Sequence, residues 1–206
     1  MKIIFLDFDG VISTANTGYS IDCNKVKLLH EIIDRTGAKI VITSSWRKHN
    51  LESTKEEFKN MSFIDYVIGV TPRFNVRDEN DDYLSVPRGM EIDYWLNNCE
   101  EEIESYVILD DERDFLLDQK PYFVQTNMYF GLLEEDVERA VKILNNKMEN
   151  KEYMDEEKIN YLKNTKWGYW YHLISRYGKE CVDYMFQNGF ISKDGDKWRV
   201  TNFWSY

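Results

Sequence analysis

Three short apolar runs, each ending abruptly in polar residues, constrain this chain more than any other feature. Ile3 to Leu6 stops at Asp7-Phe8-Asp9-Gly10, Ile40-Val41-Ile42 stops at Thr43-Ser44-Ser45-Trp46-Arg47, and Tyr106 to Leu109 stops at Asp110-Asp111-Glu112-Arg113-Asp114. Runs of this length that do not alternate with polar residues read as strands covered on both faces, as in a parallel sheet. Helical patterns fill the gaps. Asp22 is placed to cap a helix that carries Val26, Leu29, Ile32 and Ile33 on one face and ends at Gly37, and Val137, Ala140, Val141 and Leu144 mark a closing helix. Further helices are expected over about Ser53 to Asn60 and Met90 to Asn98, further strands at Tyr66 to Ile68 and Tyr122 to Gln125, and a polar loop from Asp78 to Val86. The alternation predicts an α/β fold with a Rossmann-like parallel sheet.

Ligands of open α/β sheets bind beyond the carboxyl ends of the strands, so the polar tails of the three runs are expected to share one edge. Asp7, Asp9, Asp110 and Asp111 would repel one another there unless a cation sat among them, and an all-oxygen set suits a hard ion such as Mg²⁺. Mg²⁺ held by a few carboxylates keeps positions for water and a phosphate oxygen, which points to phosphate chemistry. Arg47 follows a strand end and Arg88 opens a helix, so both are expected to face that edge. With Ser44 and Arg73 they make a candidate phosphate or phosphodiester clamp.

The motifs resemble those of the haloacid dehalogenase (HAD) superfamily of phosphotransferases, over residues 1 to about 148. Asp7-Phe8-Asp9-Gly10-Val11 matches the first motif, Thr43 the second and Asp110-Asp111 the fourth. The third, normally a lysine and less often an arginine that opens a helix, is occupied by Arg88-Gly89-Met90-Glu91-Ile92. Arg88-Gly89 to Trp95-Leu96, Val107 to Asp111, and Phe123-Val124-Gln125-Thr126 with Gly131-Leu132 are similar to stand-alone HAD domains associated with RNA-repair proteins and to the phosphatase half of polynucleotide kinase-phosphatases. No Gly-x-x-x-x-Gly-Lys-Ser/Thr loop accompanies them, so a kinase half is not part of this sequence.

The resemblance implies a division of labour. Asp7 is the nucleophile that forms an aspartyl-phosphate, and Asp9 is the acid and then the base. Thr43 and Arg88 hold phosphoryl oxygens. Asp7, the main-chain carbonyl of Asp9, and Asp110 or Asp111 hold Mg²⁺, with the remaining acid or Asp114 in support. It also implies little or no cap over the site, which leaves it open to bulky substrates. The activity implied is an Mg²⁺-dependent phosphomonoesterase acting on a nucleic-acid end or nucleotide. A phosphoprotein or small-metabolite phosphatase is one alternative, and a non-catalytic HAD-fold binding module is another.

Composition bears on partners. Residues 1–150 carry a net charge of −12 and residues 151–206 of +1, so long-range attraction of nucleic acid to the first part is not expected and any grip must come from local arginines. Cys23, Cys99 and Cys181 are widely spaced and read as reduced thiols, and no apolar run approaches the length of a membrane span. A cytoplasmic protein with no membrane partner is the expectation. A polar stretch near residues 145–157 marks a boundary, giving a phosphatase domain at 1–148 and an extension at 149–206. Residues 151–206 hold 14 of the 31 aromatics, which sets them apart as a packing or assembly element that includes Trp167, Trp170, Trp198 and Trp204. A helix is expected from about Glu156 to Tyr177, then a hairpin turning at Asp194-Gly195. The aromatics suit docking onto the sheet or self-association first, and nucleic-acid stacking second.

Overall fold

Ile3 to Leu6 in β1 (Lys2–Leu6) are completely shielded from solvent, which requires a strand on either side and a layer over each face. Both are present in the computed structural model, which describes residues 1–73, 76–77, 83–84, 87–146, 191–194 and 197–200. The chain continues through α1 (Cys23–Thr36), β2 (Lys39–Ile42), α2 (Leu51–Glu57), β3 (Val67–Val70), β4 (Val76–Arg77), β5 (Tyr83–Leu84), α3 (Arg88–Asn97), β6 (Ser105–Asp110), β7 (Phe123–Gln125) and α4 (Glu134–Asn145). Near its end lie β8 (Ile191–Asp194) and β9 (Lys197–Val200). It divides into two compact units: Met1–Pro72, Ile92–Arg113 and Gln119–Met148 in the first, and Arg73–Glu91, Asp114–Asp118 and Glu149–Tyr206 in the second.

The first unit is a Rossmann-like α/β fold. Five parallel strands run in the order β3-β2-β1-β6-β7. Winding proceeds from β1 outward through β2 to β3, then returns to the other side of β1 for β6 and β7. The direction therefore reverses between β1 and β6, the kind of switch point beyond whose carboxyl ends open α/β sheets bind ligands.

Local chemistry explains the elements. Asp22 accepts the Asn24 N–H at 2.8 Å to start α1, and Gly37, at φ 72°, ends it with its N–H on the Ile33 carbonyl at 2.7 Å. Val26, Leu29, Ile32 and Ile33 of α1 and Val137, Ala140, Val141 and Leu144 of α4 bury one apolar stripe each against Ile4, Leu6, Ile40, Ile42, Val107 and Leu109. Arg35 grips Glu138 at 2.5 and 2.9 Å and Glu31 at 3.0 Å, which ties α1 to α4 and holds the Glu138 carboxyl below the usual carboxylate range. These groups are solvent-exposed, so the tie adds little to stability. On the opposite face Phe5 meets Trp95 of α3 and Tyr106 edge-on, with centroids 5.5 and 5.7 Å apart. Gly69 lets that indole lie flat on β3, since a Cβ there would come within 2.9 Å of Trp95 Nε1.

Two expectations need correction. Asp78 to Val86 is not simply a loop: within the second unit β4 pairs antiparallel with β5, Val76 opposite Leu84 and Arg77 opposite Tyr83. A ladder of two residues per strand is too short to leave a periodic signal. The helix expected from Ser53 begins earlier, at Leu51, because the Asn50 side chain accepts the Ser53 N–H at 2.8 Å and caps it. The hairpin near the end is present, with Asp194 opposite Lys197 and Ile191 opposite Val200. The helix expected over about 156–177, the tryptophans at 167, 170 and 204, and self-association through that region lie outside the described residues.

The Phe5 environment yields a stability test. Phe5→Ala is expected to lower the unfolding free energy by about 3–5 kcal/mol, because the ring is fully buried between two aromatics and its loss leaves a cavity. Urea denaturation should show a lower midpoint with the slope unchanged.

Candidate active site

Strand register assembles the site. Leu6 is opposite Ile42 on one side and Leu109 on the other. The next residue on each strand is therefore level too: the Asp7 N–H donates to the Leu109 carbonyl at 3.0 Å, and the Thr43 N–H to the Leu6 carbonyl at 3.0 Å. Asp7, Thr43 and Asp110 thus leave three adjacent strands at one height, where winding reverses. Carboxylate oxygens of Asp7, Asp110 and Asp111 all lie within 4.8 Å of one another. Asp7 is only 4% exposed and Asp110 not at all.

Supporting residues hold these acids. The Asp110 Oδ1 accepts the Glu112 N–H at 2.9 Å. The Gln125 amide donates to the Asp111 carbonyl at 3.1 Å, and Arg113 Nε donates to Gln125 Oε1 at 2.7 Å. Thr126 donates its hydroxyl to the Gly10 carbonyl at 2.6 Å and its N–H to the Asp110 carbonyl at 2.9 Å, so one residue ties the loops after β1 and β6 together. Gly10 sits at φ 68°, and a Cβ there would lie 2.3 Å from Asp111 Cγ. Glycine is required at this position, both for the left-handed backbone and for the approach of Asp111.

The donor set fits a hard divalent cation. Oxygens around an octahedral ion at about 2.1 Å are separated by about 3 to 4 Å, and those of the three carboxylates lie within 4.8 Å of one another, so small side-chain adjustments would close them on an ion. Asp7, Asp110 and Asp111 would hold such an ion, and its charge would relieve the repulsion among them.

Asp9 is half-buried one turn beyond Asp7. Its Oδ2 accepts the indole N–H of Trp46 at 2.8 Å, and its Oδ1 accepts the Ser13 hydroxyl at 3.3 Å. Thr43 is fully buried, and its Oγ accepts the Thr71 hydroxyl at 3.3 Å, which leaves the Thr43 proton available to an oxyanion.

Arg47 and Ser44 are both held by the loops around them. The Arg47 guanidinium is 6% exposed and donates to the carbonyls of Thr43 at 3.0 Å, Ser44 at 2.6 Å, Thr71 at 3.1 Å and Pro72 at 3.0 Å. Four of its five N–H donors meet main-chain carbonyls, so Arg47 ties the loops after β2 and β3 together. Ser44 is fully buried, and its Oγ accepts the Trp46 N–H at 3.2 Å. Arg73 and Arg88 belong to the second unit. Arg73 is exposed; Arg88 is the first residue of α3, where its N–H meets Asp114 Oδ2 at 2.9 Å. Asp114, a candidate support for the metal ligands, caps that helix. Trp46, Ser13, Thr71 and Thr126 carried no functional signal of their own in the sequence. Trp46 and Thr126 stood inside motifs, and the Trp46 N–H is the donor that could have singled that residue out.

A buried carboxylate level with a second acid, and a third acid beside them, thus stand at the switch point of a parallel sheet. The family described as the HAD domain in Swiss Army Knife RNA repair proteins matches residues 3–137, and the chain belongs to it. Membership implies phosphatase-type hydrolase chemistry and a divalent metal. No curated protein and no solved structure matches the chain significantly. Among the described residues no helix is long and apolar enough to cross a membrane.

The acid cluster yields a test that needs no substrate. Asp111→Asn should abolish the rise in melting temperature that Mg²⁺ or Mn²⁺ produces in the parent. Thermal unfolding with and without the ion checks it.

Proposed function

We propose that this protein is an Mg²⁺-dependent phosphomonoesterase that works through an aspartyl-phosphate on a phosphorylated nucleic-acid end or nucleotide. The observation that supports the chemistry most is the level placement of Asp7, Thr43 and Asp110 with Asp111 alongside. The RNA-repair setting named for its family supports the substrate class.

In this reading an Asp7 carboxylate oxygen attacks phosphorus while the bond to the leaving oxygen breaks, and Asp9 gives that oxygen a proton. Asp9 then takes a proton from water as the water oxygen bonds to phosphorus and the Asp7–phosphorus link opens, which restores both residues. The Thr43 hydroxyl and the Arg88 guanidinium hold non-bridging oxygens, and the main-chain carbonyl of Asp9 joins the three acids as a ligand. Mg²⁺, when bound, neutralises charge that accumulates on the phosphoryl group. Arg73, exposed at the start of the second unit, is a further candidate for a substrate contact. Residues 1–148 act as the phosphatase domain and 149–206 as an extension for substrate presentation or self-association, in a cytoplasmic protein.

Asp7→Asn should reduce turnover below detection while circular dichroism and melting stay close to the parent, since an amide cannot form the acyl phosphate. Near-normal turnover would remove the covalent mechanism. A panel of end-phosphorylated oligonucleotides and mononucleotides, assayed with Mg²⁺ beside phosphopeptides and sugar phosphates, tests the substrate class. Preference for the latter two would overturn it.

A further inference from the structure

Asp9 has a different partner on each carboxyl oxygen, and the two partners differ in what they can do. The indole N–H of Trp46, 2.8 Å from Oδ2, can only donate; the Ser13 hydroxyl, 3.3 Å from Oδ1, can donate or accept. The indole N–H on Oδ2 commits that oxygen to accepting, and Oδ1 keeps a second lone-pair direction beside the one that the Ser13 hydroxyl occupies. We propose that Trp46 is a positioning residue for the acid and base of this enzyme: it reserves Oδ2 as an acceptor and so assigns the transferable proton to Asp9 Oδ1. This deepens the phosphatase reading above and rests on it.

The indole is well placed for that task because its own position is already determined. It stacks at 29° on Phe58, with centroids 6.4 Å apart, and contacts Phe8 at 5.8 Å. Its backbone N–H is held by Ser44 Oγ, and the next residue is the buried Arg47, bonded to carbonyls of both neighbouring loops. Ser13 is equally constrained: it is fully buried, its N–H donates to the Phe8 carbonyl at 2.8 Å, and its carbonyl accepts the Gly10 N–H at 2.7 Å. Two rigid anchors therefore fix the plane of the carboxyl, and a general acid gains from such a fixed direction toward the leaving oxygen. In the first step the Oδ1 proton passes to the leaving oxygen as its bond to phosphorus breaks. In the second, Oδ1 receives a proton from the attacking water. Oδ2 stays on the indole N–H throughout.

The test is leaving-group dependence. An alkyl leaving group needs the proton and an activated aryl group does not, so Trp46→Phe, which keeps an aromatic ring and removes the donor, should lower kcat/KM, which covers only the steps through leaving-group departure, about 10-fold or more for a phosphorylated oligonucleotide while changing kcat/KM for p-nitrophenyl phosphate by less than about 3-fold. Retained aryl phosphate turnover also shows that the variant is folded. Should Trp46→Phe fail to fold, a benzothienyl-alanine at position 46, with sulfur in place of N–H, carries the same comparison. In the Asp9→Asn background the Trp46 change should add no further loss, because its effect runs through Asp9. Equal losses on both substrates, or full additivity with Asp9→Asn, would make Trp46 a packing residue only and overturn the proposal. If Asp9→Asn itself shows no leaving-group selectivity, the acid assignment fails and takes this inference with it. Selectivity in Asp9→Asn without selectivity in Trp46→Phe overturns the inference alone.

Discussion

Like charge gathered at one point is the constraint on which the rest of the first unit depends. Three carboxylates within 4.8 Å, one fully buried and one nearly so, would repel by several kcal/mol per pair, about 4 kcal/mol at 4 Å with the screening typical of protein interiors. A divalent cation of the kind that membership of the family implies would relieve that repulsion. The fold provides the acids with no alternative place: β1, β2 and β6 are locked in register by buried side chains on both faces, and a slip of one residue would send Asp7 and its neighbours out of level.

Parallel strands carry a cost at their ends that the same residues meet. With no tight hairpin to close them, the carbonyls that follow β2 and β3 need donors. Arg47 provides four hydrogen bonds to them, and Thr126 serves the loops after β1 and β6. An arginine at the edge of an active site thus works as internal scaffolding. Its charge still lies beside the candidate site and favours anions there, while four of its five N–H groups serve the main chain. The Trp46–Asp9 bond belongs to this scaffold as well: the loop that Arg47 holds presents the indole, and the indole holds the acid.

Much of this was legible in the chain. The apolar runs, the Asp22 cap, the Gly37 stop and the residues Asp7, Thr43, Asp110 and Asp111 all follow from short-range rules, because buried strands, helix caps and strand-end acids each leave a local pattern. The two-residue ladder of β4 and β5 and the Asn50 cap were missed because neither produces periodicity. The scaffold bonds of Arg47 were not legible for a different reason. Charge and position after a strand suggested a phosphate contact, and nothing in the neighbouring sequence says that four carbonyls from two separate loops converge on its guanidinium.

The sequence by itself determined which residues are available for chemistry and the sheet edge at which they appear, since alternation of apolar runs and helices dictates a parallel sheet and a parallel sheet dictates the edge. Tertiary structure alone decided which donors face the site and which are consumed, that Gly10 must lack a side chain so that Asp111 can approach, and that Trp46 and Ser13 meet the two oxygens of Asp9. Hydrogen-bond direction and burial depend on what packs against a side chain from elsewhere in the chain. Residues 24 to 37 positions apart, such as Arg47 with Thr71 and Asp9 with Trp46, become neighbours only after the strands have paired.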